Sequence, residues 1–214
     1  MRINKFISHN TNYSRREADE LLKAGKVSIN GRVVSDLSTE VKDSDKVRIG
    51  SRLIKLKKEF SMIVYNKQKG ELVTKKDDRG RKTIYDTLPR GFSKFISVGR
   101  LDYASEGLLL LTDAPAIAQA LMDSDIEREY YLKIKGEITE QVINAMREGF
   151  FAKDATKGAH AKTKQISMEF KPFLAYKIIS QSGGYTRLKV IINEGQNREL
   201  RRFFGYFYKT YQGS

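Results

Sequence analysis

The stretch Gly99-Arg100-Leu101-Asp102-Tyr103-Ala104-Ser105-Glu106-Gly107, running on into Leu108-Leu109-Leu110-Leu111-Thr112-Asp113, sets the architecture of this chain. A short polar loop carrying Asp102, two places after Arg100, leads into a run that is apolar on both faces. Such a run predicts a buried, central strand. Asp102 therefore stands at the rim of a core, where a carboxylate is costly unless it has a partner or a task. A plain turn residue ahead of a strand is the alternative for the same aspartate.

Outward from that loop, composition narrows the function. The 214 residues fit one large domain or a small one plus a medium one, and 40% hydrophobic content supports a packed core. Cysteine is absent and histidine is limited to His9 and His160. That excludes thiol nucleophiles, disulfide scaffolds and cysteine-ligated zinc, and leaves little for a histidine triad or metal centre. No apolar run approaches bilayer length and the first residues are not a signal peptide, so a cytoplasmic protein is expected. The net charge of +14 points to a polyanionic partner, most simply nucleic acid. Residues 1–57 carry 13 Lys and Arg against 7 Asp and Glu, so the surplus is shared along the chain.

The first fifty residues have their own grammar. Ile3, Phe6 and Ile7 recur at helical spacing; Ser14-Arg15-Arg16-Glu17 is a capping box opening a second helix through Ala18, Leu21 and Leu22, which Gly25 ends. Val27 and Ile29 then alternate as a strand, Asn30-Gly31 turns it, and Val33-Val34 returns. Short strands are expected through Val41, Val47 and Ile49, and Lys55 to Glu59 reads as a linker. This order resembles the S4-type RNA-binding module. The resemblance implies an RNA face made of Arg2, Lys5, Ser14, Arg15, Arg16, Lys26, Asn30 and Arg32, with domains at 1–57 and 58–214.

Beyond the linker, Met62-Ile63-Val64-Tyr65 reads as a strand entering Asn66-Lys67-Gln68-Lys69-Gly70. Asp113-Ala114-Pro115 starts a helix whose apolar face is Ile117, Ala120 and Leu121. Arg128 to Ile134 is a strand with Tyr130, Leu132 and Ile134 on one face. A helix at 142–147 ends at Gly149, and strands are expected at about 160–169, 174–180 and 185–193. The chain closes on Glu194-Gly195-Gln196-Asn197-Arg198-Glu199-Leu200-Arg201-Arg202-Phe203-Phe204, a glycine turn and a helix start lined with arginine.

Taken together, Gly-Arg-Leu-Asp at 99–102, Arg-Glu-Tyr at 128–130 and the closing arginine motif resemble the RNA pseudouridine synthases of the RsuA/RluB/RluE/RluF family. The Asn66 turn and Gly80, Arg81, Thr83 and Ile84 fit the same pattern, with Gln68 where proline is usual. The resemblance implies an α+β chain: a small S4-like αα-β domain, then a catalytic domain on a mixed, mainly antiparallel sheet. It implies Asp102 as the catalytic residue, Arg201 as its partner, and Tyr130 against the target base. Arg198 and Arg202 would face RNA, and Arg100 would fill the space of the flipped nucleotide or hold a phosphate beside it. The reaction moves the ribose bond of uracil from nitrogen 1 to carbon 5 and needs neither cofactor nor metal. What it does need is an ionised carboxylate in a closed pocket, which a contacting arginine favours, and a base taken out of its stack. The expected substrate is a uridine in bacterial ribosomal RNA, 23S ahead of 16S, and the expected state is a monomer. A non-catalytic RNA-binding or ribosome-assembly factor that retains the fold is the alternative. Ala104 replaces the usual asparagine, and Tyr208 to Ser214 follows nothing in the family, so an altered or shortened C-terminal end is expected.

Overall fold

The computed structural model describes residues 1–196 and 198–208. Asn197 of the closing motif, and Lys209 to Ser214 at the divergent end, lie outside the described residues. The chain packs as two compact units: one of Met1–Tyr65, Tyr85–Arg100 and Leu108–Met122, the other of Asn66–Ile84, Leu101–Gly107 and the chain from Asp123 on.

In the first unit, α1 (Ile3–Asn10) and α2 (Arg15–Lys23) pack on a small sheet of β1 (Val27–Ile29), β2 (Arg32–Val33), β3 (Val47–Ile49) and β4 (Arg52–Leu53). The strand order is β2-β1-β3-β4. The capping box forms as the sequence predicts: the Ser14 hydroxyl accepts from the Glu17 amide at 3.2 Å, and the Glu17 carboxylate accepts from the Ser14 amide at 2.7 Å. Asn30 and Gly31 turn β1 into β2 with φ of 51° and 85°, the left-handed pair that a two-residue hairpin requires. Ile3, Ile7, Ala18, Leu22, Val27, Val41 and Val47 form the core. Val41 is buried without being part of a strand.

The same unit holds a second sheet of order β5-β7-β6, from β5 (Met62–Lys67), β6 (Ile96–Ser97) and β7 (Gly107–Thr112). The leucine run is therefore central, as its sequence predicts. Its two faces are covered unequally, however: Leu109 and Leu111 are buried, while on the other face Thr112 is buried, Leu110 half-buried and Leu108 69% exposed. Two short helices, α3 (Ile84–Thr87) and α4 (Pro115–Asp123), follow β5 and β7. On α4 the residue fully buried is Ala118, rather than Ile117, Ala120 and Leu121. Asp113 ties the linker down, accepting from the Ser61 amide at 2.8 Å and pairing with Lys57 at 2.7 Å.

The second unit is built on a three-stranded antiparallel sheet of order β11-β12-β8: β8 (Arg128–Lys135), β11 (Ala175–Ser182) and β12 (Tyr185–Ile192). Its inner face packs with α5 (Glu140–Glu148), the pair β9 (Phe150–Ala152) and β10 (Met168–Phe170), and α6 (Glu199–Phe207). Thr139 caps α5 and Gly149 ends it with φ of 71°. Phe203 and Phe204 sit in the core among Phe150, Phe170 and Phe173. The strand expected at 160–169 is shorter and later, β10, and residues 153–167 form a long loop instead. Arg202 holds that loop. It is fully buried, donating to the Ala155 carbonyl at 2.7 Å, the Gln165 carbonyl at 2.8 Å and Gln165 Oε1 at 3.2 Å. The approach is close: a Cβ on Gly158 would come within 2.2 Å of the Arg201 carbonyl oxygen, so a glycine is required there.

Candidate active site

Asp102 opens a turn in which the Ser105 amide donates to its own carbonyl at 3.0 Å. Two anchors fix this loop. The Gly70 amide donates to the Tyr103 carbonyl at 2.8 Å, and Lys67 Nζ donates to the Ser105 carbonyl at 2.7 Å and the Gln68 carbonyl at 3.0 Å. Lys67 has no exposed surface. Burial lowers its pKa, and the carboxylates of Glu71, Asp102 and Glu106 oppose that shift without overcoming it. Sequence reasoning treated the Asn66–Gly70 turn as a frame and passed over this lysine. The signal was there: along β5, Ile63, Tyr65 and Lys67 share the inward parity. Lys67→Met is expected to leave the Gln68 and Ser105 carbonyls without this donor, costing about 1–3 kcal/mol, and to slow turnover by loosening the Asp102 loop. Urea unfolding and single-turnover kinetics check both effects.

The Asp102 carboxylate is gripped from both sides. Arg201 Nε lies 2.7 Å from Oδ2, and Arg198 Nε lies 3.3 Å from Oδ1. Arg201 Nη2 also reaches Ser105 Oγ at 3.5 Å, a long contact. Arg198 Nη1 donates to the Ala159 carbonyl at 3.2 Å, so the same side chain touches the carboxylate and the 153–167 loop. Its backbone is left-handed, with φ of 53° at the cap of α6. That conformation is disfavoured for arginine by of order 1 kcal/mol or more and is the kind of strain found at functional sites.

The sequence-based division of the three arginines is corrected here. Arg201 pairs with Asp102 as expected, but Arg198 pairs with it too. Arg202 does not face RNA at all: it is a buried tie between α6 and the 153–167 loop. Arg201 and Arg202 lie in the first turn of α6, whereas Arg198 reaches Asp102 from the left-handed cap just before it.

Tyr130 lies on the inner face of β8 with Leu132 and Ile134, half-buried against the core. Burial raises the pKa of its hydroxyl; the negative charges of Glu199 and Asp102 add to the rise and Arg128 opposes it. Asp102 is thus an electrostatic neighbour of the tyrosine. Glu199 is itself buried, its pKa pushed up by desolvation, and its carboxylate accepts from the Gln196 amide at 2.9 Å, tightening the turn before α6. Among the described residues no cluster of metal-ligating side chains occurs, and no helix is long and apolar enough to cross a membrane. Two guanidiniums thus meet at the one Asp102 carboxylate.

Of the residues expected to touch RNA in the first unit, Arg2, Arg15, Arg16, Lys26 and Arg32 are exposed and Lys5 is half-buried. Lys5 and Arg15 converge, since after burial the two positive charges are what lower the pKa of His9. Ser14 and Asn30 are engaged within the fold. The serine caps α2, and the Asn30 amide group donates to Asp45 at 2.9 Å while its oxygen accepts from the Lys46 amide at 2.9 Å. Arg100 is exposed in the loop after β6.

With this geometry in hand, comparison with known proteins places the chain. The family model described as RNA pseudouridylate synthase matches residues 61–206, and the S4 domain model matches residues 1–47. A Helicobacter pylori protein named "Uncharacterized RNA pseudouridine synthase" is 52% identical over 209 residues, covering 97% of this chain and 79% of the relative. Ribosomal large subunit pseudouridine synthase B of Bacillus subtilis is 32% identical over 205 residues, covering 95% and 79%. A solved pseudouridylate synthase structure, at 24% identity, shares the fold with a TM-score of 0.59 over 97% of this chain and 83% of its own. The chain belongs to the RNA pseudouridylate synthase family, an isomerase with an S4 domain at its N-terminus.

Proposed function

We propose that this chain converts a specific uridine of ribosomal RNA into pseudouridine, in 23S rather than 16S RNA, with Asp102 as the catalytic carboxylate. The observation that carries this reading is the grip of Arg201 and Arg198 on the two oxygens of Asp102. Such a grip orients the carboxylate at the ribose of a nucleotide drawn out of its stack. The glycosidic bond from nitrogen 1 breaks, the uracil turns, carbon 5 bonds to the same sugar carbon, and the proton of carbon 5 is lost while nitrogen 1 gains one. Tyr130 supports the base, and Arg100 occupies the vacated stack or holds a neighbouring phosphate. Residues 1–57 form the module that anchors the RNA through Arg15, Arg16 and their exposed neighbours, and residues 58–214 perform the chemistry as a cytoplasmic monomer. The large-subunit preference follows the name of the Bacillus subtilis relative.

The test is to incubate purified protein with unmodified 23S and 16S transcripts and map pseudouridine along both. One new site, in 23S RNA, is expected. A new site in 16S RNA alone would overturn the subunit preference, and none in either would overturn the substrate.

A further inference from the structure

We propose that the outward face of the β11-β12-β8 sheet is a second RNA-docking surface, taking phosphates and an unpaired base of the same ribosomal RNA; it rests on the substrate reading above. The inner face of this sheet is core, with Leu132, Ile134, Leu188 and Val190 buried. The outer face is exposed, and its cross-strand rows are an unusual mixture. Lys177 stands opposite Lys189, which stands opposite Tyr131. In the next row Ser180 stands opposite Arg187, which faces Lys133; in the last, Ser182 faces Tyr185, which faces Lys135.

Five cations thus share the outer face with one acid, Glu129, whose carboxylate pairs with Lys189 at 2.7 Å. Like charges directly across an antiparallel pair destabilise a sheet, so Lys177 against Lys189 and Arg187 against Lys133 are unfavourable pairings in themselves. A polyanion lying over the sheet would remove that repulsion. Two aromatic rings are interleaved with the cations. Lys133 Nζ lies 4.4 Å from the centre of the Tyr185 ring, and Tyr131 is 63% exposed in the middle of the patch. An exposed ring among cations is what stacking of unpaired bases uses, with the cations tracking the backbone. None of these residues takes part in the Asp102 site.

The experiment compares wild-type protein with Lys133→Gln/Lys177→Gln/Arg187→Gln, and with Tyr131→Ala, on the 23S fragment carrying the modified site. For the triple variant, affinity near 0.1 M salt should fall at least about tenfold, and the slope of log affinity against log salt should flatten by about 2. Tyr131→Ala should weaken binding about fivefold or more without changing the slope. Turnover at saturating RNA should be unchanged. The melting temperature of the triple variant should be equal or higher, because repulsion is relieved; a fall would show that the cations serve the fold and would overturn the proposal. Unchanged affinity and slope would overturn it too. So would loss of binding to phosphatidylglycerol vesicles with RNA affinity intact, which would assign the face to a membrane. If the wild-type protein modifies neither ribosomal RNA yet the variants lose affinity for the whole unmodified 23S transcript, the substrate reading falls and the docking surface stands.

Discussion

Asp102→Asn should fold, bind RNA at wild-type affinity and lose at least about 10⁴-fold in the single-turnover rate, which is about 5 kcal/mol of barrier. The amide keeps the size of the carboxylate, and the turn survives because the Ser105 amide donates to the backbone carbonyl of residue 102 and not to its side chain. The asparagine has no negative charge with which to act on the ribose or to balance two guanidiniums. The arginines should then separate by function. Arg201, at 2.7 Å from Oδ2, makes the shorter contact; Arg201→Lys should slow the chemical step by about 10²–10³-fold, since an ammonium cannot reproduce the planar fork. Arg198, at 3.3 Å from Oδ1, is shared with the Ala159 carbonyl, and Arg198→Lys should cost nearer tenfold. Rapid-quench kinetics on one stem-loop substrate measures all three. Wild-type turnover by Asp102→Asn would end the assignment of the carboxylate, and equal effects at Arg198 and Arg201 would end the division between them.

Arg202→Met should be the most destabilising change at the arginine stripe while leaving the Asp102 contacts in place. The guanidinium satisfies three acceptors of the 153–167 loop from a fully buried position. Methionine fills much of the volume but leaves the Ala155 and Gln165 carbonyls without that donor, at about 1–3 kcal/mol for each group buried and unsatisfied. A loss of about 2–4 kcal/mol is expected in urea unfolding at an unchanged m-value. Removing a buried cation also recovers its desolvation cost, which lowers its pKa in the native protein, so the net loss stays below the sum of the broken bonds. Activity measured on the folded fraction should fall modestly, because Arg198 leans on the same loop through Ala159. A variant as stable as wild type would show that water replaces the guanidinium.

The contrast between Arg201 and Arg202 marks where local reading stops. Two identical residues stand side by side in the motif; one grips the Asp102 carboxylate and the other is a structural tie. Arg201 and Arg202 are neighbours in the first turn of α6, and Arg198 caps it. What each then meets depends on a loop forty residues earlier in the chain and on a turn a hundred residues earlier. Lys67 is similar: its inward parity in β5 is legible, but its acceptor at Ser105 lies 38 residues away. The leucine run shows the reverse limit. Hydrophobicity placed β7 at the centre of its sheet, yet how fully each face is covered depends on what else packs there, and Leu108 is left exposed.

Some features needed only the sequence, because their physics is local. The capping box at Ser14 and Glu17, the Asn30-Gly31 hairpin, the cap of α5 at Gly149 and the two-residue alternation of β8 are set by backbone geometry within four or five residues. The family motifs around Asp102, Tyr130 and Arg201 were legible for the same reason, each being short and contiguous. Tertiary structure alone decided that Asp102 has two arginine partners, that Arg202 is core, that residues 153–167 form a loop rather than a strand, and that five cations gather on one sheet face. Each of these depends on contacts between segments far apart in sequence, whose energies no local pattern encodes.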